Sequence, residues 1–257
     1  MQHSRKIRYI IAFLLLSISV LVFVAMNVCI GTVKISLEDI IASIGGGQIN
    51  NSRILWDIRM PRTMAALILG GALALAGYLL QTFFHNPIAG PFVLGISSGA
   101  KMVVALVMVF LMGQAIRVSS VTLIAAAFLG AMISMGFVLL MSRKVNNMSM
   151  LVVSGVMIGY ICSAVTELVV TFANDAEIVN LHNWSRGSFS GMTWDNVIVM
   201  AVVITVTFVI VFFMAKPLSA YQLGESYAQN MGVNIRLLRV ALVILSSILS
   251  ACIVAFA

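Results

Sequence analysis

Long apolar runs recur along the chain, separated by short polar segments or segments rich in glycine and proline. They predict helices over about residues 9–28, 63–84, 92–112, 118–141, 150–172, 197–214 and 240–257. Each run of roughly 18 to 25 residues is long enough to cross a ~30 Å hydrocarbon core. No segment shows the alternation of a membrane strand, and backbone amides in lipid need partners within their own segment. The pattern therefore predicts an all-α polytopic membrane helix bundle with seven spans. The stretch from Gly31 to Arg62 is too polar to span. It carries a glycine turn at Gly45 to Gly47 and a short amphipathic piece, Leu37 to Ile44, expected to lie on a membrane surface.

Composition agrees with this reading and excludes a water-soluble globule: 61% of the 257 residues are hydrophobic, 9% are charged, and the mean hydropathy is +1.11. Arg5, Lys6 and Arg8 precede the first run with no small-residue cleavage site after it, which predicts an uncleaved first span with a cytoplasmic N-terminus. Alternating the sides from there puts Arg143, Lys144, Lys216, Arg236 and Arg239 inside against the single acid Glu225. The outer segments then hold Lys34, Arg53, Arg59, Arg62, Arg117 and Arg186, balanced by Glu38, Asp39, Asp57, Asp175, Glu177 and Asp195. The lysine and arginine bias supports that orientation. The formal charge of +7 is thus mostly topology, and no basic domain outside the bilayer points to nucleic acid. Cys29, Cys162 and Cys252 are spread through apolar spans, and His3, His85 and His182 are isolated. The chain offers no metal-ligand cluster, so a transported metal would travel inside a chelator.

Three places depart from plain membrane sequence. The second span is dense in small residues from Ala65 to Gly77 and carries Gln81 on its buried side, which predicts close approach of neighbours all round it. Next, Asn86-Pro87 ends that span, Gly90-Pro91 breaks the chain again, and Gly95, Ser97, Ser98 and Gly99 follow before the apolar run resumes. Such non-helical backbone is tolerated at membrane depth only inside protein or beside water. Lys101 lies just beyond, and Glu167 is the single acid within a span, too far along its own helix for a direct pair to be expected. The third place is the longest inner loop, about 215–239, which Pro217, Gly224 and Gly232 divide into two short helices. By physics alone it is either a surface on lipid headgroups or a docking site.

Four signatures lie in order along the chain: RMPRT with Arg59 and Arg62; GALALAG from Gly71 to Gly77 with Gln81; HNPIAGP from His85 to Pro91 followed by LGISSGA from Leu94 to Ala100; and the loop with Leu223-Gly224-Glu225, Ala228 and Met231-Gly232-Val233. Together they resemble the FecCD-type permeases, the transmembrane subunits of ATP-driven importers for iron-siderophores, haem and cobalamin. Met231 stands where that family usually has leucine.

The resemblance implies about ten helices in an inverted repeat, a second permease subunit, same or homologous, and two cytoplasmic ABC ATPase subunits. It also implies an extracytoplasmic substrate-binding protein, a metal-chelate cargo and a bacterial inner-membrane location. Arg59 and Arg62 are implied to dock the binding protein, although arginines ahead of a span also serve as headgroup anchors. Leu223, Gly224, Glu225, Ala228 and Gly232 are implied to couple the ATPase. A small Ala228 would let the ATPase approach the backbone, and Glu225 would meet a basic side chain on its rim. Asn86, Pro87, Pro91, Gly95 and Gly99 are the structural helix break. The 257 residues read as a single permease domain that stops inside its seventh span, so a longer natural chain is expected.

No phosphate-cradling GxxxxGK[ST] pattern occurs, and no nucleophile and base or paired carboxylates stand at helical spacing. The chain is expected to be no enzyme and to need no cofactor, with ATP hydrolysis on another polypeptide. The alternative is an ion-coupled secondary transporter, which would want midplane acids where this sequence has only Glu167.

Overall fold

The computed structural model describes residues 2–31, 33, 52–112, 119–142 and 148–256. The piece from Leu37 to Ile44, the turn at Gly45 to Gly47, the residues Lys34, Glu38, Asp39, Arg117, Arg143 and Lys144, and the Arg5 side chain lie outside the described residues.

Ten α-helices are described: α1 (Gln2–Cys29), α2 (Met60–Phe84), α3 (Ile96–Val107), α4 (Ser120–Ser142), α5 (Met148–Thr171), α6 (Asp175–Ser185), α7 (Trp194–Phe213), α8 (Ala215–Gln222), α9 (Glu225–Asn230) and α10 (Ile235–Phe256). Wider π-helical turns lead into α2 at Ile54–Arg59 and follow α3 at Met108–Met112. Among the described residues there are no strands. Among the described residues six helical stretches are long and apolar enough to cross a membrane, and Ile96–Leu111 is a shorter apolar seventh.

The chain divides into two compact units, residues 1–67 with 190–197, and residues 68–189 with 198–257. In the first unit α1 is a bare span: Tyr9, Phe13, Leu16 and Phe23 are all exposed. Only near its end does it pack, where Val28 and Leu55 are buried with Ile54, Trp56 and Met60 around them.

In the second unit α3 is the hub, packing on α4, α5 and α10, and α10 also packs on α4. Glycine makes these crossings possible. A Cβ on Gly99 would run into Ser134 Oγ and the Gly130 carbonyl, and one on Gly95 would come within 2.8 Å of the Gly159 backbone. Gly95 and Gly99, Gly130 and Ser134, and Gly155 and Gly159 are each four residues apart, so small residues stack on one face and the backbones meet there.

Three expectations change. The third span begins at Ile96 rather than 92, because residues 91–95 form turns and Gly95 holds a left-handed φ of 71° at the helix start. The polar stretch 173–196 contains a helix, α6, in which the Asn174 N–H donates to the Glu177 carboxylate at 3.0 Å, and it packs on α3. On α2, Leu69, Ala72, Ala76, Leu79 and Leu80 are buried while Gly70, Gly71, Ala74 and Gln81 are exposed. Within this chain only one face of that helix is covered, which corrects the expectation of a buried Gln81.

Candidate functional site

The polar loop after α7 folds as a pair of short helices. Pro217 sits in the first turn of α8, where its missing N–H costs nothing. The chain leaves α8 through N–H donation from Leu223 and Gly224 to the carbonyls of Ala220 and Tyr221, and Gly224 then takes a φ of +128° that other residues rarely adopt. After α9 the N–H groups of Gly232 and Val233 donate to the carbonyls of Gln229 and Ala228, with Gly232 at φ +83°, a Schellman ending. Both glycines of the predicted signature are thus required by backbone geometry.

Tyr221 braces the pair. Its ring is fully buried, and its hydroxyl donates to Glu225 Oε1 at 3.1 Å while accepting from Arg239 Nε at 3.5 Å. Arg239 also closes an ion pair with Glu225, tying α9 to α10. On the other side His85, the single non-glycine residue at positive φ among those described, lies with its ring 4.7 Å from that of Tyr221 and its Nε2 3.4 Å from the Tyr221 carbonyl. Gln222 Nε2 donates to Thr82 Oγ1 at 3.1 Å and Tyr78 Oη at 3.2 Å. The end of α2, the helix pair and the start of α10 therefore share one polar network.

Charge follows the geometry. Burial pushes the Glu225 carboxyl upward, but the hydrogen bond and the positive charge of Arg239, helped by Tyr221, outweigh it and hold the group below its ordinary value. Burial raises the Tyr221 hydroxyl above its ordinary value, with the neighbouring carboxylate adding to the effect and Arg239 opposing it, so it stays a protonated donor.

What the pair presents outward is apolar. Leu223 is 71% exposed, Met231 62% and Tyr227 49%. With Lys216, Ser219 and Ala220 they line a shallow groove of about 420 Å³. Two site residues already have contacts inside the chain. Ala228 is fully buried within this chain. Glu225 is committed to Arg239 rather than free for a partner's basic side chain.

The corner preceding α3 is tightly turned. Asn86 Oδ1 accepts the Ile88 N–H at 3.0 Å, its carbonyl accepts the Ala89 N–H at 3.2 Å, and Pro87 lies between them. Pro91 is buried and Gly95 and Gly99 make the close crossings described above.

In the other unit the RMPRT arginines are not free side chains. Arg59 is buried and donates to the carbonyls of Val28 and Val33, clamping the chain after α1 to the start of α2. A Cβ on Gly31 would strike that guanidinium. Arg62 Nη2 donates to the Ser190 carbonyl at 2.7 Å, while its Nε is buried without a hydrogen-bond partner among the described residues.

The profile of the FecCD transport family matches residues 18–257. The chain belongs to that family. It is 33% identical over 243 residues to the vitamin B12 import system permease protein BtuC of Salmonella typhi, a match spanning 95% of this chain and 71% of the relative. The BtuC of Salmonella newport is 32% identical over the same coverage. A solved structure described as a metal-chelate type ABC transporter in an inward-facing conformation superposes with a TM-score of 0.79 at 25% identity, covering 94% of this chain and 74% of that one. The FecCD chain is therefore a polytopic ABC importer permease, a transport subunit rather than an enzyme.

Sequence reasoning missed the residues that organise this FecCD chain's loop. Tyr221 and Arg239 are 18 positions apart, and they meet because α10 begins at Ile235 rather than near 240. His85 was visible only as part of a break motif. Gly130, Gly155 and Gly159 stood among ordinary small residues of long spans, with no local signal of which face they occupy.

Proposed function

We propose that this chain is the permease subunit of an importer for metal chelates of the siderophore, haem or cobalamin kind, working with ABC ATPases below and a binding protein above. The observation that carries the reading is the helix pair α8–α9, braced from within by Tyr221, Glu225, Arg239 and His85 while it offers Leu223, Tyr227 and Met231 outward. A loop merely resting on headgroups gains little from a buried polar brace. A loop that must move with a partner and carry that motion to α2 and α10 needs one.

In this reading the N-terminus and α8–α9 face the cytoplasm and the segment before α2 faces outward, in a bacterial inner membrane. The ATPase seats on the apolar groove, and a second permease copy or homologue completes the path. Arg62, with an unpartnered Nε, is the better of the two arginines for the binding protein, and Arg59 holds the segment that presents it. Support for the cargo class comes from relatives named for vitamin B12 import and a neighbour described as metal-chelate type.

The test is uptake by proteoliposomes holding the full-length permease with its ATPase and binding protein. Labelled cobalamin and labelled ferric siderophores are offered separately, with and without ATP. ATP-dependent entry of one of them is expected. Entry driven by an ion gradient without ATP would point to a secondary transporter instead.

A further inference from the structure

A pocket in the second unit lies outside everything assigned above. Lys101 on α3, Trp184 near the end of α6, Arg186 just beyond it and Ile253 on α10 line it, together with Phe92 and Ser97, and its volume is about 180 Å³. Ser97 and Lys101 are four residues apart, so they stand on one face of α3.

Two cations therefore share one small space, and no carboxylate lines it. Among the described residues neither Lys101 nor Arg186 has an ion-pair partner. Near the end of α6, Trp184 O accepts the Gly187 N–H at 3.1 Å, and Leu181 O accepts Ser185 Oγ at 2.7 Å. Like charges beside apolar walls repel more strongly than in water, and a half-buried ammonium without a counter-charge is costly. An anion removes both penalties, and Ser97 adds a hydroxyl donor.

We propose that the pocket between α3, α6 and α10 is an anion site that takes a single carboxylate or phosphate group held by Lys101 and Arg186. Pockets for whole drug-sized molecules start at roughly 300 Å³. This one has room for one anionic group, not for an entire metal chelate. The same chemistry is offered by a free anion and by the phosphate of an anionic lipid, and the site does not depend on which cargo the permease carries.

Trp184 supplies the probe. Emission of the purified full-length chain is followed during titration with sodium phosphate and with sodium acetate at constant ionic strength. A third arm compares nanodiscs of phosphatidylcholine with nanodiscs containing phosphatidylglycerol. A saturable response in the first two arms identifies a free anion, and a response confined to the third identifies a lipid headgroup. In Lys101→Gln or Arg186→Gln the midpoint should rise about tenfold, as expected for loss of one charge-assisted contact. Lys101→Arg should retain binding, and Trp184→Phe should lose the signal. Arg186 is exposed, so its variant is expected to fold even if the Lys101 variant does not. No response in any arm, an unchanged midpoint in a folded Arg186→Gln, or a response that survives Trp184→Phe would overturn the proposal.

Discussion

Arg239 on the second turn of α10 pairs with Glu225 at the first position of α9, and both touch the hydroxyl of the buried Tyr221. This pair ties the first residue of α9 to α10. Each side chain is 37% exposed, so solvent screens part of the attraction.

Glu225→Gln or Arg239→Gln should cost about 1 kcal/mol or less in global stability for that reason. The local effect should be larger, with faster amide exchange over residues 215–233. The pH dependence has a definite sign. The folded Glu225 carboxyl lies below its ordinary 4.5, so its contribution is present above that value and disappears as pH falls through the lower folded value. Protection factors of the loop amides, taken against the intrinsic exchange rate at each pH, should therefore be flat from neutrality down to about pH 5 and fall only below that. In Glu225→Gln this acid step should vanish.

The glycine crossings make a second prediction. Gly99→Ala or Gly130→Ala places a methyl group against the facing backbone and should destabilise the bundle by about 1–3 kcal/mol or break it. Gly70→Ala and Gly71→Ala meet nothing within 4 Å in this chain and should leave its thermal unfolding in detergent unchanged. If those two instead impair only the assembled transporter, the open stripe of α2 is where another subunit approaches.

The two arginines should separate by phenotype. Arg59→Ala removes charge-assisted bonds to two backbone carbonyls and should cost about 2–3 kcal/mol, read as a lower melting temperature of the permease alone. Arg62→Glu should leave melting nearly unchanged and weaken association with the binding protein, most strongly at low salt. Equal binding by wild type and Arg62→Glu at low ionic strength would remove Arg62 from the docking surface.

Sidedness can be read with cysteines. In right-side-out vesicles a membrane-impermeant maleimide should label Asn180→Cys on α6 and not Gln222→Cys on α8. The buried Cys162 and Cys252 should stay silent. The opposite pattern would invert every loop, because each takes its side from the first span.

The sequence was legible where one physical requirement dominates. Six stretches long and apolar enough to span declare themselves because lipid demands apolar runs of that length, and Gly224 and Gly232 declare the division of the loop because their φ values exclude most other residues. Legibility failed where two remote segments decide together. Arg59 reads as a surface arginine until the Val28 and Val33 carbonyls are brought to it. Ala228 gives no sign of its full burial until α9 is seated. Helix α6 had a readable start, Asn174 followed three residues later by Glu177, but its weak apolar pattern hid it among the polar residues of 173–196.

The central claim is that α8–α9 is the seat of the ATPase, and its outward apolar side chains test it most directly. Full-length permease carrying Leu223→Glu with Met231→Glu replaces no residue of the brace, because Leu223 and Met231 are exposed and the brace is made by Tyr221, Glu225, Arg239 and His85. Co-purification of the ATPase with this variant, together with hydrolysis stimulated by the binding protein, is the measurement. Loss of both with normal membrane insertion is the predicted result, and wild-type levels of both would contradict the account.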